Sequence, residues 1–153
     1  METPTTSSSA YRGVLSVEAA LVSILLAGLV MGIVDTSFAF RIKHVLQTAA
    51  REGARVATTT AGLQPNDPSG KIASVVSQIL HEAGVDRNGS SATSVTKTTA
   101  ADLTPFAVND PVVVRVTHDY RPFFTGVIPG FSATFHGMLR AASTMRYEGG
   151  SGS

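Results

Sequence analysis

With 153 residues, the chain is long enough for one modest domain and a membrane-crossing segment. A net charge of +1 gives no electrostatic footprint for nucleic acid, and the absence of cysteine excludes disulfide frameworks, zinc–thiolate sites and thiol nucleophiles. Only 15% of residues are charged, a low share that one long apolar stretch and Ser/Thr-rich loops account for.

Residues 1–12 (METPTTSSSAYR) are short and polar and read as disordered. The run that follows, RGVLSVEAALVSILLAGLVMGIVDTSFAF at residues 12–40, is the longest apolar segment. It is too long for a secretory signal, and no small-residue cleavage motif follows it. Sixteen uncharged residues separate Glu18 from Asp35. At about 1.5 Å per residue the two carboxylates lie roughly 25 Å apart on a helix, so they bracket a hydrocarbon core about 30 Å thick. The expectation is one transmembrane helix over 14–40. A carboxylate within such a run is costly and points to function, although Glu18 near the end is also consistent with a simple interface marker. Deeper in, Gly28, Gly32, Asp35 and Ala39 fall on one helical face, and Gly28–Gly32 has the small-xxx-small spacing that lets helices approach closely in lipid.

The helix is expected to continue to about Thr58. RIKHVLQTAAREGARVAT has no proline, and Ile42, Leu46, Ala49, Gly53 and Ala57 form one stripe with Lys43, Gln47, Arg51 and Arg55 mostly elsewhere. GLQPNDPSG breaks it. A second helix, capped by Ser69 and stopped at Gly84, carries Ile72, Val75, Val76, Ile79, Leu80 and Ala83 at helical spacing. Residues 85–111 are polar and turn-rich, with a weak strand around Ala92–Thr98. PVVVRVTHDYRP alternates as the clearest strand, and a last strand is expected from Leu139 to Tyr147. Tyr120, Phe123, Phe124 and Phe131 read as packing under an aromatic loop, and GGSGS as a flexible tail over 149–153. The fold class is α+β: a long N-terminal transmembrane helix continuing into a small domain with a second helix and a roughly three-stranded antiparallel sheet.

Chemistry-bearing patterns are missing from the sequence. His44, His81, His118 and His136 are scattered, and His118 and Asp119 would point to opposite faces of a strand. No metal-binding histidine spacing, nucleophile elbow or phosphate loop occurs. The expectation is no catalysis, no metal and no cofactor.

The cluster RGVLSVEAALV places Gly13 and Glu18 with four residues between them at the head of an apolar helix, an arrangement that resembles a type IV prepilin processing site. With GIVDTSFAF, LQTAAREGARVA and the closing VVVRVTHDY and LRAASTMRYE, the chain resembles the TadE-like family, minor pilins or pseudopilins of tight-adherence (Flp-type) pili. The resemblance implies that a prepilin peptidase cuts between Gly13 and Val14, making 1–13 a cytoplasmic leader and Glu18 the fifth residue of the mature chain. It implies a bacterial inner-membrane location, an extracytoplasmic pilin-like domain over 41–148, and other pilin and pilus-assembly subunits as partners beside the lipid bilayer, with no nucleic acid. Relatives often carry Phe after the glutamate and a second glutamate further on; here those positions hold Ala19 and Asp35. Arg41, Lys43, Arg51 and Arg55 would by the positive-inside rule put the C-terminal side in the cytoplasm. The processing motif is the more specific signal and sets the opposite orientation. Two other functional classes remain: an uncleaved single-pass accessory of pilus assembly or secretion, and a membrane-tethered binding domain with a pocket among Tyr120, Phe123 and Phe131.

Overall fold

A computed structural model describes residues 8–85, 91–97, 104–120, 122 and 137–149, with side chains from Gly13 onward. The first seven residues, the Arg12 side chain, Phe123, Phe124, Phe131, His136 and the tail after Gly149 lie outside the described residues. The element order is helix α1 (Ser8–Thr59), helix α2 (Lys71–Glu82) and strands β1 (Ser91–Thr96), β2 (Pro111–Tyr120) and β3 (Gly137–Arg146). The chain divides into two compact units, Met1–Ser37 and Phe38–Ser153. The long apolar helix, the second helix and the three-stranded antiparallel sheet are those expected from the sequence.

No proline interrupts the chain between Pro4 and Pro65, and α1 runs through all of its 52 residues without a break. It begins earlier than the expected Val14, because Ser8 to Arg12 contains no helix breaker and Gly13 is tolerated inside a helix at a cost of about 1 kcal/mol relative to Ala. Three consecutive threonines close it. Thr58 Oγ1 donates to the Arg55 carbonyl at 2.8 Å, and Thr59 and Thr60 hydroxyls donate to Val56 at 3.2 and 2.7 Å. These side chains satisfy carbonyls that the end of a helix leaves open. Gly62 follows with φ +66°, and the backbone turns away.

Within the second unit, the C-terminal half of α1 is one wall of the core. Ile42, Leu46, Ala49, Ala50, Ala54 and Ala57 are buried, along with Ile72, Val76 and Leu80 of α2 and Val112, Val114 and Val116 of β2. The small residues of α1 let its backbone come close to its neighbours. A Cβ on Gly53 would sit 2.8 Å from Val76 Cγ2, 3.2 Å from Val114 Cγ1 and 3.4 Å from Ile72 Cγ2. Three elements therefore meet at a point where only hydrogen fits.

The entry to α2 corrects the expectation of a Ser69 cap. The N-cap is Gly70, in the left-handed region at φ 67° with no side chain to offer. Asp67, itself at φ 45° and buried, reaches over instead. Its Oδ2 accepts the Ile72 and Ala73 amides at 2.7 and 3.1 Å, and its Oδ1 accepts the Ser69 hydroxyl at 2.8 Å. A carboxylate beside the first turn suits both the open amides and the helix dipole. Ser69 orients the cap rather than forming it. At the other end Gly84 takes φ +71° and its amide donates to the His81 carbonyl, as the sequence predicts.

The sheet order is β1-β2-β3, with all pairings antiparallel. Val114 lies opposite Val95 of β1 and Ser143 of β3. Alternation puts Val112, Val114, Val116 and His118 inward and Arg115 outward. β1 is weak in hydrophobic content, with Val95 its one fully buried residue. Its C-terminal end is tied down by polar contacts: Lys97 Nζ lies 2.9 Å from Asp110 Oδ2, donates to Thr104 Oγ1 at 2.9 Å and stands 5.5 Å from the centre of the Phe106 ring. The end of the described chain closes on the end of α1. Tyr147 exchanges backbone hydrogen bonds with Asn109 and Asp110 at 2.8 Å each, and its hydroxyl donates to the Thr60 carbonyl at 2.8 Å.

Two stability outcomes follow from these contacts. Gly53→Val forces two methyl groups into the contact with Val76, and lowers stability by about 1–3 kcal/mol. Gly32→Ala, where an added Cβ meets nothing within 4 Å, does not lower it; thermal melts of the detergent-solubilised chain by circular dichroism check both. Asp67→Ala removes the acceptor for two amides and costs about 1–2 kcal/mol, whereas Ser69→Ala costs less; the same melts give the order.

Candidate functional site in the apolar helix

The residues singled out in the sequence all stand on α1. Val14 is 67% exposed, and Glu18 and Leu21 are exposed beside it. With Gly13 and Val17 they line a shallow apolar concavity that is open to the surroundings. The Gly13–Val14 peptide bond lies inside the helix, and the Gly13 carbonyl accepts the Ser16 hydroxyl at 2.9 Å. The bond as folded is therefore exposed but held in a hydrogen-bonded helical turn, which an enzyme that cuts an extended peptide must first unwind. Glycine makes such unwinding easier by about 1 kcal/mol relative to alanine.

Further along, an added Cβ at Gly28 or Gly32 would meet nothing within 4 Å. Asp35 and Ala39 are the half-buried residues in the run from 31 to 40. The other polar side chains of the run are turned back on the helix. Ser23 donates to the Ala19 carbonyl at 2.7 Å, Thr36 to Gly32 at 2.7 Å and Ser37 to Ile33 at 2.8 Å. Such i to i−4 bonds satisfy a hydroxyl without a partner from outside, as hydrocarbon requires. The large side chains between them, among them Leu21, Ile24, Leu25, Leu29 and Ile33, are exposed. The most apolar window of α1 has none of its residues buried, and the helix is long and apolar enough to cross a membrane.

One pattern was read from the sequence only in pieces. From Val14 onward, positions alternately four and three residues apart hold Val14, Glu18, Leu21, Leu25, Gly28, Gly32, Asp35, Ala39, Ile42, Leu46, Ala49 and Gly53. The last four are the residues that face the domain core, and the middle four form the small-residue face already noted. A seven-residue period of this kind drifts by about 20° per repeat on a straight helix. Neighbouring members thus share a face, while the whole seam winds slowly around the axis. Its period was legible in the sequence; the change from lipid-type to core-type residues concealed it.

The remaining candidates do not gather into a reactive centre. His44 is exposed on α1, His81 is exposed near the end of α2, and His118 is buried on β2 with its Nδ1 2.9 Å from Ser91 Oγ. Among the described residues, no three His, Cys, Asp or Glu side chains are placed to hold a metal ion. Tyr120 packs partly buried against the core; the other aromatic residues of the suggested pocket lie outside the described residues. The buried cap at Asp67 is a structural residue that the sequence reading missed, and its only signal was an acid four residues ahead of the helix.

Neither a curated protein nor a solved structure matches the chain. A family model described as TadE-like protein matches residues 13–55, a little over a quarter of the chain. The match begins at Gly13, takes in Glu18, Gly28, Gly32 and Asp35, and ends on the core-facing part of α1. Over residues 13–55 the chain is thus similar to TadE-like proteins, and this stretch falls on the one helix among the described residues that is long and apolar enough to cross a membrane.

Proposed function

We propose that the chain is a minor pilin or pseudopilin that contributes to assembly of a tight-adherence type IV pilus. In this reading a prepilin peptidase removes residues 1–13 on the cytoplasmic side of the inner membrane. Val14 becomes the N-terminus, and the domain that follows the apolar helix stands outside the cytoplasm. The observation that carries the proposal is the coincidence of Gly13, Val14 and Glu18 with the start of the TadE-like match, at the head of an exposed apolar helix. The new amine at Val14 would need a counter-charge once helices pack in a low-dielectric bundle, and a carboxylate one turn along, Glu18 of a neighbouring subunit, supplies it. Gly28, Gly32 and Asp35 form the face on which such neighbours pack. Other pilin and pilus-assembly subunits are the partners, with the bilayer as the solvent of the helix before assembly. The chain acts by assembling, and no catalytic role is assigned to any of its residues.

A second reading has one observation in its favour. The Gly13–Val14 bond is helical and its carbonyl is occupied by Ser16, which suits a chain that is never cut. That protein would be an uncleaved single-pass accessory of pilus assembly or secretion.

Intact mass separates the two. Purified from membranes of cells that carry the matching peptidase, the chain is expected to lack its first thirteen residues, and Gly13→Ala is expected to keep them. Full-length mass for both proteins transfers the assignment to the uncleaved accessory. Glu18→Ala is expected to reduce processing or incorporation into pili at least tenfold, measured by the mass ratio and by immunoblot of sheared pili; unchanged values refute the counter-charge role.

A further inference from the structure

Just past the apolar run, α1 carries a polar collar that neither the proposed processing site nor the packing face uses. Phe38 and Phe40 are 49% and 59% exposed, and Arg41, Lys43 and His44 directly after them are exposed as well. Among the described residues no carboxylate pairs with Arg41 or Lys43. The nearest exposed acid further along, Glu52, faces Arg55 at 3.9 Å.

Depth decides what these cations meet. Counted from the midpoint between Glu18 and Asp35 at about 1.5 Å per residue, Phe38 and Phe40 come at about 17 and 20 Å, and Arg41 and Lys43 at about 22 and 25 Å. A bilayer is about 30 Å thick in its hydrocarbon core and about 40–45 Å with its headgroups, so the headgroup layer spans about 15–22 Å from the midplane. A tilt of about 20° shortens each height by only a few per cent. The phenyl rings therefore fall at the level favoured by interfacial aromatic residues, and the guanidinium and ammonium groups at the outer edge of the headgroup layer, from which their long side chains reach back to the phosphates. Arg51 and Arg55 come ten and more residues later, beyond the reach of the headgroups.

We propose that Arg41 and Lys43 form a docking collar for anionic phospholipid headgroups on the domain side of the membrane, with Phe38 and Phe40 seated in the interfacial layer beneath them. The occupant is lipid because the cations come at the outer edge of the headgroup layer, directly after a run whose large apolar side chains are exposed. The fork of Arg41 suits two phosphate oxygens, and Lys43 adds a point charge. This collar explains why basic residues follow the apolar run on the side that the processing motif assigns to the exterior: they bind lipid there. The proposal holds whether or not the Gly13–Val14 bond is cut.

The full chain is reconstituted in nanodiscs of equal parts phosphatidylglycerol and phosphatidylcholine, and the lipids it retains are counted by native mass spectrometry. Each interfacial cation contributes about fivefold in preference for an anionic lipid. The chain is expected to retain phosphatidylglycerol over phosphatidylcholine at least about fivefold, and Arg41→Gln/Lys43→Gln to fall to near parity. Arg115→Gln/Arg140→Gln removes the same charge from the exposed outer face of the sheet and is expected to keep the preference. The proposal is overturned if the native chain shows no preference, if the Arg41/Lys43 pair of changes leaves it intact, or if both pairs abolish it equally, which would assign it to net charge alone.

Discussion

Close approach at Gly53 is the constraint on which the domain depends. Here a three-stranded sheet and a twelve-residue helix leave one side of the core to a third element. They need a third wall, and α1 provides it by presenting alanine and glycine where a larger residue would hold its neighbours apart. Because Ile72 and Val76 of α2 and Val114 of β2 all converge on Gly53, that position sets the spacing between layers. The valines of β2 then fill the gap from the other side. The buried stripe of small residues is therefore not a weak hydrophobic face; it is the condition for dense packing around a helix backbone.

Most of this was legible in the sequence because period and composition agree. The Ile42–Ala57 stripe has the helical period, and β2 alternates strictly through Val112, Val114 and Val116. What could not be read depended on contacts distant in sequence or on unusual backbone. Ser69 had the chemistry of a cap, but the turn through Asn66 and Asp67 adopts positive φ and brings the Asp67 carboxylate onto the amides of α2 first. β1 has few apolar residues to announce it, since Val95 packs inward while the end beyond it is held by Lys97 against Asp110 and the buried Phe106 ring.

The candidate site was legible for a different reason. A glutamate and an aspartate inside an apolar run conflict with the solvent the run is made for, and such conflicts point to function more sharply than agreement does. Glu18 and Asp35 stand out for that reason, as does a glycine at a position where any good helix former would serve. Glu18 and Asp35 also share their four-and-three spacing with Leu21, Leu25, Gly28 and Gly32 in the same run.

The hydroxyls of the apolar run carry one more consequence. Ser23, Thr36 and Ser37 are each bonded to a carbonyl of their own helix, so none of them anchors α1 to a particular azimuth in lipid. Spinning about its long axis costs the helix no hydrogen bond from these side chains. Only the carboxylates and the shallow strip of glycines break the cylindrical symmetry. The hydroxyls of the run thus leave its azimuth in lipid to be set by other side chains.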